Sequence, residues 1–520
     1  MKAPIAPIES NSLSFVQYIW KSLSNRKYIY WTIGLSVMQF SIFKIFYPFP
    51  DFFSDSYSYI FAAAAHLDLS IWPIGYSKFL SAFHSITASD YAFVAFQYFS
   101  LELAAIYFFF TVLYFYRTSK TTRLFLFIFC SVNPLFLYLS NTINSDAIFG
   151  TLSLLWITQL LWLIHRPHLY QVFIHAILLF LCFTVRNNAY YYPVIATIAF
   201  LLSRQNWKIK AVGIILPFFF IIPFIVYTKN IAYKITGSRQ FSLFTGWQLA
   251  NNALYIYNTI EVDSNSMHTP EAMELNRVAS NFFQDVNQES FQSYLNSYVG
   301  NFFIRQPEAP LKKYFVKHFS PLNSEFEFIA AWGKSSAAFE SFGKSIILSH
   351  PFAYAQYFIW PNIARYALPP LSHLEQYNYG KDDIEPIAQY WFNYPTPKVH
   401  CSSHSFQSFL IIYEAFFLLV NLYFLWQFLM YALKFRLSIR GEECHRAFLL
   451  ISTFCLCNFG FSIISTVNIL RYQVIPMALL LTLGLLISDL LEETAWKIKN
   501  KKKDFNLKTP PVSIETKVQL

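Results

Sequence analysis

Charge is scarce in this chain. Only 13% of its 520 residues are charged, where a soluble protein has about 25%. That shortage points to a bilayer. Alternating segments of about ten residues, the mark of a membrane β-barrel, are also missing. Cysteine is sparse: Cys130, Cys182, Cys401, Cys444, Cys455 and Cys457. Only Cys401 falls in the large polar interval described below, so no disulfide within that interval is expected. No internal repeat, low-complexity tract or Gly-rich phosphate loop occurs, and the last absence removes the usual nucleotide cradle. No cleavable signal is expected either. The first apolar run starts near Tyr28, is too long for a signal core, and should remain as an anchor.

What the chain does contain is apolar and aromatic residues, 55% and 20%. Runs of about 20 apolar residues recur, enough to cross roughly 30 Å of hydrocarbon as helices. Helices satisfy their own backbone hydrogen bonds in lipid. The expected fold class is therefore an all-α polytopic membrane protein. About ten spans are predicted, at roughly 28–47, 91–116, 123–140, 146–165, 169–186, 189–203, 210–228, 406–433, 447–467 and 471–490. The domain reading follows: 1–228, an N-terminal membrane core with a first outer loop at 48–90; 229–405, an extracytoplasmic loop domain; 406–490, C-terminal membrane helices; 491–520, a basic cytoplasmic tail. An interval as long as 229–405 suggests a folded unit rather than a linker.

Net charge is +10. The basic residues cluster between apolar runs, which fits topology and anionic lipid, and no nucleic-acid partner is expected. One set holds Arg117, Lys120 and Arg123, then Arg166, then Arg204, Lys208 and Lys210, then Lys434, Arg436, Arg440 and Arg446. Lys21, Arg26 and Lys27 join it, as do Lys497, Lys499, Lys501, Lys502 and Lys503. With ten spans all lie on one side, which the positive-inside rule makes cytoplasmic. Both termini are then cytoplasmic.

Two arginines break that pattern. Arg186 and Arg471 stand at the opposite, outer ends of their helices. An embedded arginine costs about 2.5–3.5 kcal/mol on insertion scales. One reading is a side chain snorkelling to a headgroup. The other is an anion site, since the guanidinium fork suits phosphate oxygens.

Acids occur at the same level. The first outer loop opens with Asp51 and Asp55 among aromatic rings. Asp55 begins a stretch readable as an interfacial helix, with Tyr59, Ala62 and Ala63 on one side and Ser54 as a possible cap. Asp146 starts the fourth span in the run Asn141-Thr142-Ile143-Asn144-Ser145-Asp146, where it suits a helix N-terminus. The alternatives for Asp51 and Asp55 are plain solvation or helix capping. His400, Cys401 and His404 meet at a loop-to-helix junction without a fourth ligand, so no metal is expected. Trp247, Asn251 and Asn252 are candidates for lining an acceptor side.

The order of these segments resembles the GT-C superfamily of polyprenyl-phosphate-sugar glycosyltransferases, which includes protein O-mannosyltransferases and the lipid A aminoarabinose transferase. Four segments carry it: Asp55-Ser56-Tyr57-Ser58-Tyr59; Trp72-Pro73-Ile74-Gly75-Tyr76-Ser77-Lys78; Asn141 to Asp146 followed by Ala147-Ile148-Phe149; and Arg471-Tyr472 with Pro476. Val185-Arg186-Asn187-Asn188 adds a weaker match. Many members carry adjacent acids in the first loop, whereas Ser56 follows Asp55 here, leaving Asp51 or Asp55 as lead acid.

The resemblance implies a GT-C-like bundle of about ten helices with an extracytoplasmic loop domain. It implies an inverting transfer of sugar from a polyprenyl-phosphate donor to a lipid, glycan or protein acceptor at the outer face. Asp55, Asp51 and Asp146 would be the catalytic acids, with Asp55 as general base. Arg186, Arg471 and Tyr472 would bind the donor phosphate, and Tyr59, Tyr76, Lys78 and Asn141 would line the substrate. No cofactor is implied. A bacterial inner membrane is the implied location. A ligase or polymerase of lipid-linked oligosaccharides and a lipid-linked-sugar flippase are the rival readings.

Overall fold

The computed structural model describes residues 13–263, 267, 269–285, 300–435, 443–465 and 467–508. Arg436 and Arg440 of the expected cytoplasmic set lie outside the described residues, as does the tail beyond 508. The described residues form no strands, only helices and two isolated bridges.

Eight of the described helices are long and apolar enough to cross a membrane. They are Leu23–Phe46, Asp90–Phe115, Lys120–Asn141, Asp146–His165, Trp207–Thr236, Phe406–Lys434, His445–Ser465 and Val474–Trp496. The chain is an all-α polytopic membrane protein. Capping sets many of the boundaries. Ser89, Ser119 and Asn206 each accept a hydrogen bond from a backbone N–H in the first turn of the helix that follows, which satisfies a donor left open at a helix start. Gly237, at φ +77°, ends the long Trp207–Thr236 helix in the left-handed conformation glycine favours.

The two further apolar helices expected at 169–186 and 189–203 are present and shorter. The helix predicted at 169–186 is Leu169–Val185, only 17 residues, and the one at 189–203 is Tyr192–Leu202, only 11. At 1.5 Å per residue the longer of these covers about 26 Å, and its end at Arg186 reaches the Asp146 end of the Asp146–His165 helix. The break between the two is polar: Arg186 is extended and Asn187–Tyr191 forms a 3₁₀ turn. This short hairpin packs on the Asp146–His165 helix. Trp156 stacks on Tyr192 at 4.4 Å and donates from Nε1 to His175 Nδ1 at 3.0 Å, while Ser153 bonds the Tyr192 hydroxyl at 2.7 Å. Its apex carries Arg186.

The interval 229–405 divides in two. Residues between Ala232 and Phe358 build a separate apolar core, joined by Leu69 and Ile71 of the first outer loop. Its centre is Trp247 stacked on Trp332 at 3.9 Å, where the Thr245–Tyr257 and Glu325–Ser349 helices cross. Trp247, Asn251 and Asn252 are all buried in that core, with Asn251 Nδ2 donating to Gly300 O at 2.8 Å. They line no acceptor surface, contrary to the sequence expectation. Tyr366, Leu371, Leu374, Tyr377, Trp391 and Val399 belong instead to the membrane core. This later stretch is a strap over the first outer loop.

Candidate functional site

The first outer loop is stitched to the Asn141–Asp146 turn. Asp51 N donates to Asn141 O at 2.8 Å, and Ile143 N donates to Asp51 O at 3.1 Å. Gln97, buried on the Asp90–Phe115 helix, donates to Ser140 O and Thr142 O and accepts from the Tyr76 hydroxyl at 3.1 Å. Gly75 makes this approach possible. A Cβ there would stand 2.6 Å from the Thr184 carbonyl oxygen. The result holds the Ser54–Ala64 helix beside the start of the Asp146–His165 helix. Phe53, not Ser54, occupies the cap position, and Phe53 N donates to Ser56 Oγ at 2.8 Å.

Two acids and two arginines converge there. Arg186 and Arg471 both pair with Asp146, Arg186 through Oδ1 and Arg471 through Oδ2, the latter at 3.0 Å. Arg471 Nη2 also stands 3.9 Å from Asp55 Oδ2. Tyr472 is clasped by both cations. The Arg186 guanidinium lies 4.5 Å and that of Arg471 5.0 Å from its ring centre, and Arg471 Nη2 donates to its hydroxyl at 3.3 Å. Such cation–ring contacts strengthen when desolvated. Phe53 lies 5.4 Å from Arg471 and Phe149 5.7 Å from Arg186. Asp146 and Arg471 are buried, whereas the Asp55 side chain keeps 24% of its exposure. Asp55 is thus the more solvent-exposed acid of this group.

No family model matches the chain, and neither a curated protein nor a solved structure does.

The remaining predicted residues take varied places. Tyr59 is brought in: its hydroxyl bonds Ser145 Oγ at 3.2 Å, its ring meets Tyr76 edge-on at 4.9 Å, and burial pushes its phenol up to about 12. Asp51 is not part of the cluster's pairing. It is buried, and its Oδ1 accepts from Asn378 N at 2.8 Å. Burial pushes its carboxyl up to about 7, against the opposing pull of that N–H. Its partners make it a pin for the strap. Lys78 pairs with Asp68 at 2.5 Å, and Tyr227 donates to the same carboxylate at 2.8 Å, so Lys78 serves the contact with the Trp207–Thr236 helix. Asn141 accepts from Lys44 Nζ at 3.1 Å and donates to Phe49 O at 3.3 Å, a structural tie. His404 is engaged by Tyr377 O and Asp382, and the His400 ring packs on Phe49.

Sequence reasoning missed Phe53, Ser145 and Phe149 as neighbours of the charged groups. Each adjoins a residue already singled out, and that adjacency was the available signal. It also missed His373 and Arg305, which reach the site from the strap and the loop domain, and no local pattern marks them.

Beside the charges lies a small cleft, with about 500 Å³ of empty space, lined by Asp146, Arg186, Arg471 and Tyr472 and by apolar residues that include Phe454 and Ile475.

Proposed function

We propose that this protein is a membrane glycosyltransferase that moves a sugar from a polyprenyl-phosphate donor to a hydroxyl acceptor at the extracytoplasmic face. The observation that carries the reading is the convergence of Arg186 and Arg471 on Asp146, with the partly exposed Asp55 3.9 Å from Arg471. The Lys and Arg distribution supports cytoplasmic termini, and the proposed location is a bacterial inner membrane.

The chemistry follows from the groups. The donor phosphate meets the two guanidiniums. Each carries five donors, so each keeps Asp146 and still presents N–H groups to a phosphate. The acceptor hydroxyl oxygen attacks the anomeric carbon from the Asp55 side. The carbon–oxygen bond to phosphate breaks, its electron pair stays on the phosphate, and the arginines stabilise that charge. The hydroxyl proton goes to Asp55. One displacement inverts the anomeric centre. Tyr472 and Asp146 hold the arginines in place.

The test is transfer by the purified protein in lipid, with a panel of radiolabelled polyprenyl-phosphate monosaccharides. Label moving to a new product supports the reading. Label crossing the bilayer with its lipid bond intact would make the protein a flippase, and transfer only from lipid-linked oligosaccharides would make it a ligase.

A further inference from the structure

The Lys120–Asn141, Phe406–Lys434 and Val474–Trp496 helices enclose a groove with about 2960 Å³ of empty space. A small-molecule site has about 300–1,000 Å³, so this groove is larger than such a site needs. The last helix packs against both of the others and forms the floor. Phe129 and Phe416 stack at 6.3 Å and bridge the two walls. Phe125, Ile128 and Val132 line one wall and remain exposed. From Arg123 to Val132 that wall rises about 14 Å along its helix, about half of the roughly 30 Å hydrocarbon core. That is the depth of one leaflet.

One end of the groove carries both signs of charge. Lys120 and Arg123 stand on the wall, and Asp489 and Glu492 stand on the last helix. Asp489 Oδ2 accepts from Ser119 N at 2.8 Å, which ties wall to floor at the mouth. Arg123 Nε donates to Thr118 Oγ1 at 2.9 Å, a bond that uses one of the five guanidinium donors. Glu493, also at the mouth, pairs with Arg117 at 3.3 Å. Among the described residues, Lys120 and Glu492 have no ion-pair partner, and both are exposed. This mouth is remote from the Asp146 cluster. Arg471 stands just before the last helix, and Val474 to Asp489 spans about 22 Å of that helix. A headgroup here is therefore not the phosphate proposed for Arg186 and Arg471.

We propose that this groove binds a phospholipid whose head carries both a phosphate and a primary ammonium, the phosphatidylethanolamine class. Lys120 and Arg123 take the phosphate, and Glu492 takes the ammonium. The acyl chains lie along Phe125, Ile128 and Val132. Charge complementarity decides the class. A purely anionic head would satisfy the cations and meet uncompensated carboxylates. A quaternary ammonium would offer Glu492 no hydrogen-bond donor, whereas a primary ammonium offers three. The site is independent of the glycosyl-transfer reading.

The test is native mass spectrometry of the full chain released from nanodiscs that hold equal amounts of phosphatidylethanolamine, phosphatidylglycerol and phosphatidylcholine. Wild type is expected to retain phosphatidylethanolamine about 10-fold over phosphatidylcholine, the scale of one charge-assisted hydrogen bond. Glu492→Gln should remove that preference. Lys120→Gln should weaken retention of all three lipids alike, because all three carry the phosphate. Both side chains are exposed, so neither change disturbs the packed core. Equal retention of the three lipids by wild type would overturn the assignment, as would an unchanged preference in Glu492→Gln or unchanged retention in Lys120→Gln. Preferred retention of phosphatidylglycerol would mean an anionic head, and a lipid-free dimer would mean that a second copy covers the groove. Either result also overturns it.

Discussion

Arg471 and Asp146 are joined by a buried ion pair, Nη1 to Oδ2 at 3.0 Å, across 325 residues of chain. It ties the start of the fourth span to the turn before the last helix, and Arg186 joins the same carboxylate. Asp146 is thus the counter-ion of both arginines. Asp146→Ala leaves two cations near the membrane without it. The expected cost is about 3–5 kcal/mol of stability, as for other broken buried pairs. Unfolding of the detergent-solubilised protein measures it; an unchanged midpoint would mean the pairing contributes nothing.

Asp51 should separate from Asp55 by its response to conservative change. Asp51→Asn keeps an acceptor for Asn378 N–H and should fold and work. Asp51→Ala loses it and should release the strap that carries Tyr379, with a cost of about 1–3 kcal/mol. A wild-type-like Asp51→Ala would remove the pin.

The same residue gives a pH dependence with a defined sign. Its folded carboxyl is raised from 3.8 to about 7. A raised carboxyl contributes stability that is complete below its unfolded value and is lost as pH rises through the folded value. Wild type should therefore lose stability relative to Asp51→Asn between about pH 4 and pH 7. Thermal unfolding of both proteins across that window checks it; parallel curves would contradict the burial argument.

Gly75 allows the first loop to seat on Thr184. Gly75→Ala must push backbone against backbone, an overpacking change of about 1–3 kcal/mol. It should also loosen the Tyr76 to Gln97 bond and lower activity without touching a charged group. Hydrogen exchange of the loop measures this; wild-type protection in Gly75→Ala would contradict the contact.

Much of the fold was legible because apolar run length reports membrane crossing residue by residue. The eight long spans follow from that. The two shorter helices were legible too, because Arg186 and two asparagines interrupt the apolar run between them. The depth of Asp55, Asp146, Arg186 and Arg471 was legible from helix ends. Their lateral meeting was not, since it depends on how distant helices pack. Asp51 and Asp55 looked alike in sequence; only the strap, more than 300 residues later, distinguishes them. Arg305 and His373 lay in a polar interval with no periodicity to mark them.

The role of Asp55 is tested by single-turnover transfer from a polyprenyl-phosphate sugar, wild type against Asp55→Asn, with donor binding measured in parallel. Loss of transfer by about 10²–10⁴-fold, the usual contribution of a positioned base, with donor binding retained, is the expected result. Transfer by Asp55→Asn at the wild-type rate would contradict it.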